Sequence, residues 1–368
     1  MHRRILICIA IAAFALAGGE TGSARAGFPD YLALAKSGVA SAQRAWRDPA
    51  HGWYDERLNH HVAYPQATIW DAVPLFEALD GVALASPSAA TRGAVDRFAH
   101  GAERYFDRSL SPHGGFAPYP GDRGPAETWF DDNGWWGLAF FDAYRATGRH
   151  RYLNDAARAF SYAMSAGWDP RAGGLWWNTS HPFKSGEATA SNSLLGAQLY
   201  AQTHRSFYAD QVRRLISWAD QHLWNAGDRL YERSNIDPTP MPYVEGSMIQ
   251  AHQVLCQATG DRSLCDRAAF LARRADARFQ ALSMGPQFDT IYLRTMLAYG
   301  HDAGDGRWRQ LAQDEAQRAL SNARVASGLY LRAWDGSDMS GHQAEPNMLR
   351  THAATVSVFA WLAATPVS

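Results

Sequence analysis

Trp129-Phe130-Asp131-Asp132-Asn133-Gly134-Trp135-Trp136 sets two adjacent carboxylates among aromatic side chains. A carboxylic acid and a carboxylate can together cleave a glycosidic bond. One protonates the leaving oxygen, and the other attacks the sugar carbon or activates water. Flat indole faces such as those of Trp129 and Trp136 suit the C–H face of a sugar ring, and Asn133 offers an amide beside them. Neighbouring helical residues diverge by about 100°, so Asp131 and Asp132 can address different sides of one ligand. A helix start favours the charged form of the carboxylate it faces. The like charge next door and loss of water raise the pKa of the other. The competing reading is helix capping, which Asp performs well, but a cap does not need this density of aromatic rings.

Elements must place that pair. A Gly-containing turn followed by aromatic or aliphatic residues recurs along the chain. Clear copies are Asp48-Pro49-Ala50-His51-Gly52-Trp53-Tyr54, Ser111-Pro112-His113-Gly114-Gly115-Phe116 and Asp169 to Trp177. Weaker ones run Asn225 to Tyr231, Met284 to Phe288 and Ala326 to Tyr330. The intervals, roughly 40–60 residues, suit repeated supersecondary units. Between copies the apolar period is helical, as in Tyr208, Val212, Leu215, Ala219 and Leu223. Short Gly-marked joints at Gly148 and Gly260 read as helix C-caps followed at once by a new helix.

The pattern predicts twelve helices, near 29–46, 67–84, 90–109, 132–147, 150–166, 187–203, 206–223, 243–259, 262–281, 287–301, 306–322 and 346–363. Six helical hairpins make an all-α chain, an (α/α)6 barrel or toroid with inner and outer rings. An open solenoid is the alternative, but long and dissimilar loops suit a pocket at one end of a closed barrel. By alternation the fourth helix is inner, so Asp131 and Asp132 open into the central cavity.

The chain has 368 residues, 46% hydrophobic content and a formal net charge of −1. That is enough for a large core, and the lack of a basic stripe argues against nucleic acid as a partner. His2, Arg3 and Arg4, the apolar run Ile5–Ala17 and Ala24-Arg25-Ala26 read as a signal peptide over residues 1–26. Residues 27–368 then form a single domain, exported to the periplasm or beyond, monomeric by default and without a membrane span. Cys256 and Cys265 are either a disulfide between neighbouring helices or two buried thiols. No metal or cofactor is expected, and His60-His61 lacks ligand spacing.

The motif around Asp131 and Asp132 resembles the Asp-Asp motif of glycoside hydrolase family 76, the endo-α-1,6-mannanases. Gly173-Gly174-Leu175-Trp176-Trp177-Asn178 is similar to that family's Gly-Gly-aromatic segment, and Lys184 with Ser191-Asn192 to its Lys…Ser-Asn segment. The resemblance implies an (α/α)6 barrel and a retaining mechanism, with Asp131 the nucleophile and Asp132 the acid/base. Pro242-Tyr243-Val244-Glu245-Gly246 departs from the family's Tyr-x-Gln-Gly, placing Tyr243 and a third carboxylate, Glu245, near the cavity. Asp289 and Thr290 stand where relatives carry Lys-Gly.

Lesser candidates have two readings each. Trp176 or Trp177 stacks on sugar or packs beneath its loop. Asn192 binds a hydroxyl or a backbone group. Lys184 is a solvated loop cation by default. Asp71 caps the second helix or stands behind the pair. Arg294 pairs with Asp289 or Glu245. The leading function is an α-1,6-mannan hydrolase. Its rivals are a transglycosidase, a glycan-binding protein without turnover, and an epimerase or lyase, which would call for His or Tyr bases.

Overall fold

The computed structural model describes residues 29–58, 66–121, 127–338 and 347–367. The expected signal segment and His60-His61 lie outside the described residues. The chain runs through α1 (Tyr31–Trp46), α2 (Ile69–Ala85), α3 (Ala89–Ala102), α4 (Phe130–Thr147), α5 (His150–Ala166) and α6 (Gly186–Thr203). It continues through α7 (Ser206–His222), α8 (Pro242–Thr259), α9 (Arg262–Arg278), α10 (Pro286–Ala303), α11 (Arg307–Arg318) and α12 (Leu349–Ala364). Residues from Tyr31 onward pack as one unit.

The even-numbered helices touch in the order α2, α4, α6, α8, α10, α12 and back to α2. That closed inner ring, with the odd helices outside it, is an (α/α)6 toroid. Sequence sorts the two rings. On α6 every residue from Gly186 to Leu199 is buried, because an inner helix is covered on all sides. On α7 burial is confined to a stripe through Tyr208, Val212, Leu215 and Ala219, as expected of a helix with one face in solvent.

Inner helices pass to outer ones through short joints. Gly148, Gly260 and Gly304 end α4, α8 and α10 in the left-handed conformation, and His204 does the same for α6. The longer outer-to-inner loops therefore all gather where the inner helices begin. Several carry the recurring turn as a two-residue hairpin: β1 (Arg47–Asp48) with β2 (Trp53–Tyr54), β3 (Phe106–Asp107) with β4 (Gly115–Phe116), and β5 (Trp224–Asn225) with β6 (Leu230–Tyr231). The Met284 copy differs, since Gly285 (φ 116°) leads directly into α10.

Two glycines let α4 lie close to α6. A Cβ on Gly134 would fall 2.2 Å from Ser191 Oγ, and one on Gly137 would fall 2.4 Å from Leu195 Cδ2. Cys256 and Cys265 are disulfide-bonded, Cα atoms 5.5 Å apart, joining α8 to α9. Arg294 does not meet Asp289 or Glu245. Its guanidinium is clamped by Glu77 of α2 and Asp142 of α4, because it lies mid-helix on α10 while both expected partners sit in first turns at the helix starts. Asp80 is fully buried beside this cluster. Burial, then the charge on Asp142, pushes its pKa well above the usual carboxylate range.

Candidate active site

A cavity of about 350 Å³ opens where the inner helices start. All six inner helices reach it from their first turns or N-caps: Thr68 and Trp70, Asp131 and Asp132, Glu187, Tyr243, Phe288 and Arg350. The loops add Pro118, Tyr119, Trp177 and Arg233. Trp129, the N-cap of α4, and Trp135, one turn inside it, line it too. Aromatic rings form the wall in contacting pairs. Trp70 and Tyr243 each meet Phe288, with centroids 5.3 and 5.2 Å apart, and Trp129 meets Trp177 edge-on at 6.1 Å.

Neither member of the pair is spent on capping, for Trp129 is the N-cap and makes no side-chain cap bond. Asp131 Oδ2 accepts a hydrogen bond from Trp177 Nε1–H at 3.1 Å. Burial pushes the pKa of Asp131 well above the ordinary range, and the charges on Asp132 and Glu187 push it further. Asp132 is raised to about 7, by burial first and by Asp71 second. Two neighbouring carboxyls raised in this way favour keeping a proton near neutral pH.

Each is backed by an ion pair. Glu187 takes hydrogen bonds from Tyr243 Oη (2.9 Å), Arg233 Nε (3.0 Å) and Ser185 Oγ (2.6 Å). On the other side Asp71 accepts from Arg350 Nη1 at 2.5 Å and joins a reciprocal capping box with Thr68. Asp71 thus fills both roles considered for it. With both arginines matched, the uncompensated acidity of the cleft belongs to Asp131 and Asp132.

Trp129, Trp177 and Tyr243 line the cavity as expected; five other candidates do not. Asn133 is fully buried and brackets Phe116, accepting from its N–H at 2.9 Å and donating to its carbonyl at 3.0 Å. It sits two residues after Asp131, about 200° around the helix. Trp136 lies in the core against Phe76, Tyr105 and Phe140. Asn192 donates to the carbonyls of Phe130 (3.0 Å) and Ala188 (2.9 Å), tying α6 to the start of α4. Glu245 turns to the β5–β6 hairpin and accepts from Tyr231 N–H. It too lies two residues beyond a cavity-lining neighbour, Tyr243.

Trp176 packs on His181 at 5.0 Å, beneath Lys184 Nζ at 3.4 Å from the ring centre. Lys184 is therefore no solvated cation. It is buried and paired to Asp169 at 2.9 Å, holding the Gly-Gly turn that presents Trp177. The sequence reading passes over Glu187, Arg233 and Arg350. Glu187 and Arg350 stand in first turns of inner helices, the same signal that marks Asp131. Arg233 lies on a loop and carries none.

Residues 113–287 match the family model of glycosyl hydrolase family 76. The chain belongs to that family. The matched stretch holds Asp131, Asp132, Trp177, Glu187, Arg233 and Tyr243, and family membership makes the protein a glycoside hydrolase. Comparison with curated protein sequences gives no match. Among solved structures, a family 76 α-mannanase from Bacteroides thetaiotaomicron superposes with TM-score 0.80 at 20% identity, covering 92% of this chain and 96% of that one. An inactive double Asp-to-Asn variant of an α-1,6-mannanase from Salegentibacter, in complex with α-1,6-mannotriose, gives 0.74 at 15% identity, covering 91% and 100%. Dfg5 from Chaetomium thermophilum, in complex with glucosamine, gives 0.70 at 15% identity over 91% and 90%. At these identities the likeness bears on the fold. Among the described residues no helix of this family 76 protein is long and apolar enough to cross a membrane.

Proposed function

We propose that the protein is an exported endo-acting hydrolase of α-1,6-linked mannan and that Asp131 and Asp132 carry the reaction by retention. The supporting observation is the placement of both carboxyls at the mouth of the inner ring, among rings and beside matched ion pairs. The Salegentibacter relative fits this reading, since it holds α-1,6-mannotriose and is described as inactive with two adjacent aspartates replaced.

Asp132, raised to about 7, gives its proton to the glycosidic oxygen as the bond to C1 breaks. Asp131, oriented by Trp177, forms the new bond to C1 and becomes an ester, while the shortened glycan leaves. Asp132, now ionised, takes a proton from water, whose oxygen attacks C1 and frees Asp131 with the original configuration. Burial disfavours a bare carboxylate on Asp131, so forming a neutral ester there relieves a desolvated charge.

The test is product analysis on linear α-1,6-mannan, with wild type beside Asp131→Ala and Asp132→Ala. Short oligosaccharides from wild type alone, released first as the α-anomer, are expected. No products from wild type would sink the mannan assignment, and products longer than the substrate would point to transglycosylation. Export after cleavage at Ala26 predicts a secreted chain that begins at Gly27, which mass spectrometry of the exported protein checks.

A further inference from the structure

A groove of about 620 Å³ lies between the outer helices α1 and α3, with Trp53 and Tyr54 of the β1–β2 hairpin in its lining. The hydrolysis outlined above makes no use of it. Four arginines line it: Arg44 on α1, Arg47 on β1, Arg97 on α3 and Arg104 on the 3-10 turn Glu103–Tyr105 that follows. No carboxylate does so among the described residues.

The acids nearest in sequence are engaged elsewhere. Asp48 meets His51, Asp96 meets Arg149 (2.8 Å) and Arg151 (3.0 Å), and Glu103 meets His100 (3.1 Å). Arg44 and Arg104 are held by neutral acceptors. Arg44 Nη2 donates to Ser41 Oγ at 2.9 Å, and Arg104 Nε donates to the Gly101 carbonyl at 3.0 Å. The side chains of Arg47 and Arg97 have no hydrogen bond or ion pair among the described residues. Both of their charges act on the buried Tyr54 hydroxyl, so they face a common floor. Helix ends account for part of this, because the C-termini of α1 and α3 each offer about half a negative charge. Two halves do not balance four full charges. The excess is local, since the whole chain carries −1. A hollow lined by one sign of charge focuses the field and collects the opposite ion.

The anion's chemistry follows from the donors. A guanidinium fork matches two oxygens of a carboxylate or a phosphate. A flat carboxylate occupies one fork, whereas a tetrahedral phosphate presents oxygens to several. Gln43, also on the lining, adds an amide for hydroxyls. A bilayer is a poor source of the phosphate. The large apolar side chains exposed among the described residues, Phe207, Ile236 and Val367, lie off this groove, and a membrane-docking face needs such side chains beside its cations. The groove instead adjoins the catalytic mouth. The Arg104 carbonyl accepts from Gly121 N–H at 3.2 Å, two residues beyond Tyr119 of the cleft wall. We propose that this groove docks a phosphate ester borne by a glycan, outside the cleft that holds Asp131 and Asp132.

The proposal rests on the chain being a glycoside hydrolase and not on which glycan it cuts, so its test reads binding and not turnover. Mannose 6-phosphate, glucose 6-phosphate, inorganic phosphate and phosphatidylglycerol vesicles are titrated into wild type, Arg47→Gln, Arg97→Gln and the double variant. Neither side chain has a partner to lose, so melting temperatures should match wild type. Should the double variant fail to fold, the single ones carry the comparison. Both sugar phosphates should bind wild type more tightly than inorganic phosphate does. Their affinity should fall about tenfold for each arginine removed, and should weaken as salt rises. Equal affinity in wild type and variants would overturn the proposal, as would no binding of either sugar phosphate. Inorganic phosphate binding as tightly as the sugar phosphates would overturn the glycan as the carrier, and so would vesicle binding that the variants lose.

Discussion

The two mouths of the barrel are made by the same six helices and differ in almost everything else. At the N-terminal mouth the first turns carry Asp71, Asp131, Asp132 and Glu187. At the C-terminal mouth the last turns carry Arg145 and His301, with the amides of Gln198 and Gln250 nearby. This is the sorting that helix dipoles favour, anions at the start and cations at the end. The dipole does not decide protonation, however. Asp131 and Asp132 sit where a dipole should lower their pKa values, and both are raised, with burial the largest cause. In a narrow cleft desolvation outweighs the helix end. At one end of the toroid burial therefore raises the carboxyls of the first turns, while at the other the last turns carry the cations that helix ends favour.

Substitutions can break or sharpen that contrast. Asp131→Ala should produce the largest effect, lowering kcat by about 10⁴-fold or more, the scale of losing a nucleophile. The protein should stay folded, as circular dichroism would show. A loss under tenfold would remove Asp131 from the chemistry. Next is Arg294→Met, between the mouths. It leaves Glu77 and Asp142 buried without their cation, which should cost about 3–5 kcal/mol in urea unfolding. An unchanged midpoint would mean that the cluster is silent in stability.

Trp177→Phe keeps a ring and deletes the N–H that holds Asp131 Oδ2. A lost bond to a charged group is worth about 1.5–3 kcal/mol, so kcat should fall about 10- to 100-fold with KM nearly constant. A change confined to KM would make Trp177 a stacking surface only. The smallest effects concern pH. The folded pKa of Asp132, about 7, exceeds the ordinary 3.8, so the folded state holds a proton that the unfolded chain releases. The stability this contributes is full below 3.8 and is lost as pH rises through about 7. Asp132→Asn should therefore gain stability relative to wild type across that window, read as melting temperature against pH. Wild-type kcat/KM should decline on an alkaline limb near 7 as the acid form disappears, and a profile flat from 6 to 9 would contradict the role given to Asp132.

Much of this was legible in the chain alone. Apolar period, Gly C-caps and the recurring turn determined twelve helices, with few boundaries off by more than three residues. The third and eleventh were read too long, because Glu103–Tyr105 tightens into a 3-10 turn and α11 gives way to a π-helical turn over Ala319–Ala323. The aromatic setting of Asp131 and Asp132 singled out the pair, and order along the chain placed it on an inner helix. These are local properties, fixed by propensity and spacing.

Only tertiary structure decided which neighbours share the cavity. Asn133 and Glu245 sit two residues from cavity-lining side chains, and that offset turns each toward a backbone it must satisfy. Lys184 became a buried pin because the Gly-Gly loop folds over it, and Arg294 met Glu77 and Asp142 across the ring from positions 217 and 152 residues away. Such partners are chosen by ring closure, which brings helices together without regard to their distance in sequence. The sequence states what each helix is made of. The closed toroid determines which side chains of different helices meet.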